Sequence, residues 1–274
     1  MDNRAELGAF LRSRRARLKP EDARLGSGYG KRRRVPGLRR EELAQLAGVS
    51  VDYYTRFEQG RNGGVSDSVI DAVAAALQLT EAERAHLYNL ARPSARPPAR
   101  QTPSPGQLRL LAGMAEIPAY LVGRRTDILA WNPLYAELLG SATAVRRNTA
   151  WLVFLDEQVR ARYVNWEVKA RNVVAYLRRD HGRHPGDAAF AALIEELSAG
   201  SADFRRLWAE QEVADRVGGE YRMRHPAVGE LTLSFESFQA SGDPDISLIA
   251  YTAEPGSASA TALEDLAKRV DTTT

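Results

Sequence analysis

The chain has 274 residues, enough for two domains with buried cores, and no cysteine, which excludes disulfides and thiolate metal or redox sites and points to a reducing compartment. The net charge is only +3, but residues 1–100 hold 19 Lys/Arg against 12 Asp/Glu, a net +7, while residues 101–274 hold 19 against 23, a net −4. A basic first half joined to a mildly acidic second half suits an anionic partner for the first and something else for the second. No apolar run approaches the roughly 20 residues of a membrane span, and the N-terminal stretch is charged throughout, so neither a span nor an export signal is expected.

Five helical segments are expected in the first half. Residues 6–18 place Leu7, Phe10, Leu11, Arg14 and Leu18 near helical spacing. Residues 40–47 and 50–59 follow, then 67–77 with Ser66 as cap and Val69, Ile70, Val73 and Leu77 on one face, then 81–90 with Thr80 as cap before acidic residues. Between the first two lies a long connection, residues 20–37, that contains the basic run Lys31, Arg32, Arg33 and Arg34. Such a run either adds phosphate contacts, which raise the salt dependence of binding, or is a solvated loop.

The second and third helices carry the chemistry. In the stretch LRREELAQLAGVSVDYYTRFEQGR, Ala44 is a small residue midway along the first helix, and Gly48 tolerates the positive φ of a tight turn. Leu43, Ala47, Val49, Tyr54 and Phe57 fall where the pair would pack. Ser50 caps the second helix, whose N-terminal residues would enter a major groove, which makes Val51, Asp52, Tyr53 and Arg56 candidates for base edges. Arg40, Thr55, Arg61 and Asn62 are placed to hold phosphates or neighbouring bases. Asp52, repelled by phosphate, either accepts from a cytosine amino group or takes part in capping.

Residues 93–107 are rich in proline and read as a linker, so the domains expected are 1–92, 108–256 and a tail, 257–274, with helical potential. In the second half, apolar runs 119–122 and 128–131 flank GRRTD as a hairpin. Asn132 followed by Pro133 starts a helix. A long helix over 156–179, two more at 188–197 and 202–212, and strands at 220–225, 230–238 and 246–252 complete an α+β plan. The order of two strands, helices and three strands resembles PAS-like domains, whose five-stranded antiparallel sheet often covers a small-molecule cavity.

The quoted helix-turn-helix stretch resembles the Xre or Cro/C1-type, lambda-repressor-like family. Taken with LGAFLRSRRARL, ILAWNPLYAELLG, FRRLWAE, RHPAVGELTL and LIAYTAEPGS, the whole chain is similar to the MmyB-like transcription regulators. That resemblance implies an all-α helix-turn-helix reader of double-stranded operator DNA, a homodimer, and a PAS-like domain with an apolar pocket for a fatty-acid-like effector. Trp131, Tyr135, Phe154, Tyr163, Trp166, Trp208 and Phe235 are candidates for the pocket wall or for ordinary core. Asn132, Arg171, Asn172 and His225 are candidates for its polar end; Asn132 serves equally as a helix cap, and Arg171 is either a carboxylate clamp or a solvated cation.

Catalysis and metal binding find little support. His181 and His184 lie in the loop-like DHGRHPGD, Glu195 and Glu196 diverge around a helix, and no phosphate-binding loop, dinucleotide fingerprint or nucleophile elbow occurs. The expectation is therefore a cytoplasmic, nucleoid-associated repressor that needs no cofactor and responds to a small hydrophobic ligand. The alternative is a DNA-binding regulator whose second domain is a ligand-free dimerisation or interaction module.

Overall fold

A computed structural model describes residues 3–19, 37–61, 64–92, 101–140, 146–184, 186–214, 218–240 and 243–273. It falls into two units: residues 1–98 with 178–191 and 209–213, and residues 99–177, 192–208 and 214–274. Lys31 to Arg34 and Asn62, together with most of the proline-rich stretch, lie outside the described residues.

The first unit contains helices α1 (Asn3–Arg17), α2 (Arg40–Leu46), α3 (Val51–Glu58), α4 (Asp67–Ala76) and α5 (Glu81–Ala91). Their apolar stripes converge: Phe10, Leu11, Leu43, Ile70, Val73 and Leu87 are each wholly buried in one core. Thr80 opens α5 as a true capping box, its hydroxyl accepting from the Glu83 amide while the Glu83 carboxylate takes the Thr80 amide. Arg178, from a helix given below, is fully buried in this unit, where it pairs with Glu6 and donates to Gln211 Oε1 at 2.8 Å.

The second unit is built on a five-stranded antiparallel sheet of order β2-β1-β5-β4-β3, from β1 (Ala119–Val122), β2 (Ile128–Trp131), β3 (Gly219–His225), β4 (Gly229–Ala240) and β5 (Asp243–Thr252). Period-two alternation separates its faces. Ala119, Leu121, Ile246, Leu248 and Ala250 form one cluster with Leu111 of α6 (Pro105–Gly113). The intervening Tyr120, Ile249 and Tyr251 point the other way, with Phe235 registered opposite Tyr251 and Ile249 opposite Tyr120. Helices α7 (Pro133–Leu139), α8 (Thr149–Leu155), α9 (Glu157–Arg162), α10 (Trp166–Arg183), α11 (Ala188–Gly200) and α12 (Ala202–Ala209) lie between β2 and β3 in sequence, α13 (Ala258–Thr273) ends the chain, and residues of α8 and α10 lie over that second face.

Two expectations need correction, and one helix lies where no element was expected. The proline-rich stretch does not run as linker to residue 107, because Ser104 and Gln107 form a capping box that starts α6 at Pro105. The apolar run TAWLVFL is a helix, α8, capped by Asn148 Oδ1 accepting from the Trp151 amide. The long helix expected over 156–179 is broken at Tyr163, which is extended, bridges Met223 and lets the Val164 amide donate to the Arg222 carbonyl at 2.8 Å. Hydrogen bonding to a strand here overrides helical periodicity.

Candidate nucleic-acid interface and ligand cavity

The turn between α2 and α3 follows from two residues. Ala44 has no exposed surface, so the helices approach closely there. Gly48 has φ 65°, and a β-carbon at that position would meet nothing within 4 Å, so glycine is required there for its backbone conformation rather than for space. Ser50 Oγ accepts from the Tyr53 amide at 3.1 Å, satisfying one of the orphan donors at the start of α3.

The face of α3 presented outward is the one expected for base edges. Val51 is 46% exposed, Asp52 and Arg56 are exposed, and Tyr53 and Thr55 are half-buried. Asp52 is not the cap; its carboxylate lies 3.1 Å from Arg56 Nη2 one turn on. The two groups form an ion pair on the outward face of α3. Thr55 Oγ1 donates back to the Val51 carbonyl at 2.7 Å.

Arg40, expected to hold a phosphate or neighbouring base, is exposed and also has a partner within the unit. Its Nη2 lies 2.7 Å from Glu58 Oε1, and the same buried carboxylate receives Arg15 Nε at 3.1 Å. Two cations on one carboxylate tie α1, α2 and α3 together, which suits Arg40 as a positioning residue for α3. Burial, then the Glu58 charge, pushes the adjacent Tyr54 phenol up. Arg61 is exposed and shares a surface notch with Arg4 and Arg12. Arg4 and Arg12 lie on α1, far from the helix-turn-helix in sequence.

In the second unit the inward face of the sheet and α10 leave a cavity of about 240 Å³. Tyr120, Tyr176, Tyr221, Phe235, Ile249 and Val173 supply apolar wall, and Thr126, Thr149, Lys169 and Asn172 supply polar atoms. Asn172, Ala214 and Gly218 are the exposed lining residues and mark its mouth. Lys169 is only 4% exposed. Its Nζ donates to Tyr251 Oη at 3.2 Å and lies 4.6 Å, 5.4 Å and 5.9 Å from the ring centroids of Tyr221, Tyr163 and Tyr251. Asn172 Nδ2 donates to Tyr221 Oη at 3.1 Å, and the Tyr221 and Phe235 rings stack at 4.5 Å. Burial raises the phenols of Tyr163 and Tyr251, so both stay neutral donors.

Thr126 is held at φ 62°, next to Arg125 at 55°. A β-branched residue there costs on the order of 1–3 kcal/mol. The conformation is fixed by the Thr126 hydroxyl, which accepts from the Ala150 amide at 3.0 Å and contacts Asn148 Oδ1 at 3.3 Å.

Of the residues expected to line a pocket, the structure brings Asn172 and Phe235 to the cavity wall and Tyr163 against Lys169 and Tyr221. The others do not line it. Trp131 lies under the Arg147 guanidinium, and Tyr135 stacks on Tyr120. Phe154 packs edge-on to Trp166 and Phe204, Trp208 stacks on Phe204, and the Trp166 indole donates to the Val153 carbonyl. Asn132 is the cap of α7, accepting from the Tyr135 amide and donating to the carbonyls of Met114 and Ile117. Arg171 pairs with Glu167 on the exposed face of α10, and His225 bonds the Glu137 carbonyl. The polar group that sequence reasoning missed is Lys169, and its signal was present: a lysine on the apolar stripe of an amphipathic helix, between Trp166 and Val173.

A helical reader with a turn of this geometry, joined to a sheet domain that encloses a small cavity, defines a ligand-binding transcription regulator. Residues 103–266 match the family model described as the MmyB-like transcription regulator ligand binding domain, and residues 6–87 match that of a helix-turn-helix domain. The chain belongs to the MmyB-like transcription regulator family. No curated protein matches the sequence. Among the described residues no helix is long and apolar enough to cross a membrane.

Proposed function

We propose that this DNA-binding regulator occupies its operator as a homodimer and changes its affinity when a small, largely apolar molecule with one polar end fills the cavity of the second unit. The observation that carries this reading is the cavity itself, a ring-walled space beside a buried ammonium. It supports a ligand-controlled domain over a ligand-free interaction module. A fatty-acid-like molecule belongs to the same chemical class. Ligand control requires different affinities for two states of the protein. Helix α10 contributes Lys169, Asn172, Val173 and Tyr176 to the cavity and Arg178 to the unit that contains α3, so occupancy has a covalent path to the reader.

On the DNA side, Val51, Asp52, Tyr53 and Arg56 read base edges, while Ser50, Thr55 and Arg61, with Arg4 and Arg12, hold phosphates. Lys31, Arg32, Arg33, Arg34 and Asn62 add phosphate contacts, and Arg40 holds α3 in place. The protein works in the cytoplasm, at the nucleoid when bound, as a binder rather than an enzyme, and represses by covering a promoter. Fluorescence anisotropy on an operator selected from random DNA tests this reading. Arg56→Ala should weaken the selected site by about 1–3 kcal/mol while leaving random DNA nearly unchanged. Equal loss on both would remove the base-reading role.

A further inference from the structure

We infer that two copies of this chain meet through the outward face of the β3–β4 hairpin and the flank of α6; this rests on the proposal that the regulator is a homodimer and gives that dimer its interface.

The sheet face that turns away from the cavity is covered only in part. Leu121 of β1 and Ile246, Leu248 and Ala250 of β5 are buried there with Leu111 of α6. Strand register carries the same face on to β4, where Phe238 lies opposite Leu248 and Glu236 opposite Ala250. Both are exposed, as are Glu230, Thr232 and Ser234 farther along β4 and their partners Arg224, Arg222 and Glu220 on β3. Helix α6 thus shields β1 and β5 and leaves the outward side chains of β3 and β4 open.

Apolar surface gathers on this side. Phe238 is 56% exposed, and Leu110 and Leu108 of α6, which fall on either flank of the buried Leu111, are 56% and 44% exposed. Exposed apolar side chains are ordinary one at a time, whereas a group on one surface marks a contact.

The charges decide what covers it. Arg222 and Arg224 stand among Glu220, Glu230 and Glu236 on the one face, so the patch carries both signs side by side. A surface for nucleic acid would be uniformly basic. A two-fold contact brings a patch against itself, so each sign must find its opposite on that same patch, and this one supplies both. Phe238 and Leu110 then form the apolar centre, with arginines and carboxylates at the rim.

The sheet edge does not compete for this role. β3 is the last strand of the sheet, but residues 163–165 run along it: Tyr163 bridges Met223, the Val164 amide donates to the Arg222 carbonyl, and Asn165 accepts from the Arg222 amide at 2.9 Å and donates to the Glu220 carbonyl at 3.2 Å. With those backbone groups taken, a second copy meets the face of the hairpin and not its edge.

Sedimentation velocity on the full chain without DNA, over a dilution series, tests this. The parent should dimerise, and Phe238→Asp and Leu110→Asp should each raise the dimer dissociation constant roughly tenfold or more. Arg222→Glu, which sets like charges against one another across the axis, should raise it about three- to tenfold. Val168→Asp, which removes an exposed apolar side chain of α10 outside the patch, should leave it unchanged. Circular dichroism checks that each variant is folded; should Phe238→Asp unfold, Leu110→Asp and Arg222→Glu decide. Folded variants as dimeric as the parent, or a loss of the dimer in Val168→Asp equal to theirs, overturn the interface and leave the homodimer standing. A parent chain that is monomeric throughout overturns the homodimer and the interface with it.

Discussion

Helix α10 carries two buried cations whose surroundings differ in kind. Arg178, with no exposed surface, is met by the Glu6 carboxylate and by Gln211 in the first unit, and burial lowers its guanidinium to about 10 even with Glu6 raising it. Lys169, nearly as buried, is met by tyrosine faces, a phenol and the cavity in the second. A buried cation paired with a buried carboxylate fits a structural role, because that pair is made when the chain folds. A cation beside a cavity whose wall holds the Thr149 hydroxyl, without a partner among the described residues, fits a binding role, because that hydroxyl's match is left for another molecule. Burial of a charge does not by itself indicate function; the chemistry of its partners does.

The largest effect that would break this comparison is on the arginine side. Glu6→Gln leaves the Arg178 charge buried without its carboxylate and should destabilise by roughly 3–5 kcal/mol in urea unfolding. Replacing both, Glu6→Leu with Arg178→Met, should recover most of that loss. A single variant as stable as the parent would show that the pair is not a structural lock.

Acid provides a second probe of the same unit. Burial, followed by the charges of Arg178, His181 and Arg14, lowers His86 to about 3; burial, followed by Arg178, lowers His181 to about 4. Unfolded imidazole titrates near about 6.5, so below that pH the unfolded chain takes up protons that the folded chain refuses. The stabilising contribution of these two residues is complete above about 6.5 and is lost as pH falls toward about 4 for His181 and about 3 for His86. Stability measured by denaturant between pH 7.5 and 5 should fall with pH, and His86→Leu should flatten the slope.

A smaller effect concerns the reader. Ser50→Ala removes the cap of α3 and should cost about 1 kcal/mol of stability, with a loss of operator affinity that Ser50→Asp largely restores. The smallest expected change sharpens the contrast: Lys169→Met should alter stability by less than about 1 kcal/mol, since an apolar side chain of similar volume suits a ring-walled site. A loss as large as that of Glu6→Gln would place the two cations in the same structural class.

Local features were legible where local rules govern them. The hairpin strands β1 and β2 were read at their observed bounds, because alternation and a flanking turn leave a short segment little choice. The α2–α3 turn was read from Ala44 and Gly48 because close helix approach and positive φ each admit few residues. The run TAWLVFL was not legible, since a short apolar segment fits strand or helix equally and its Asn148 cap is not distinctive. Nor was the break at Tyr163, whose cause is a bridge to Met223, distant in sequence.

The amino-acid sequence by itself determined the two-part plan, the basic reader with its capped recognition helix, and the five antiparallel strands, because charge, periodicity and turn chemistry act over a few residues. Only the tertiary structure decided which aromatics pack and which wall a cavity. Tyr120, Thr149, Lys169, Tyr221 and Tyr251 come from five separate elements, and no spacing along the chain encodes their meeting. It follows from the inward face of the sheet being closed by α8 and α10, which sets a lysine among rings and leaves the Thr149 hydroxyl without a partner among the described residues.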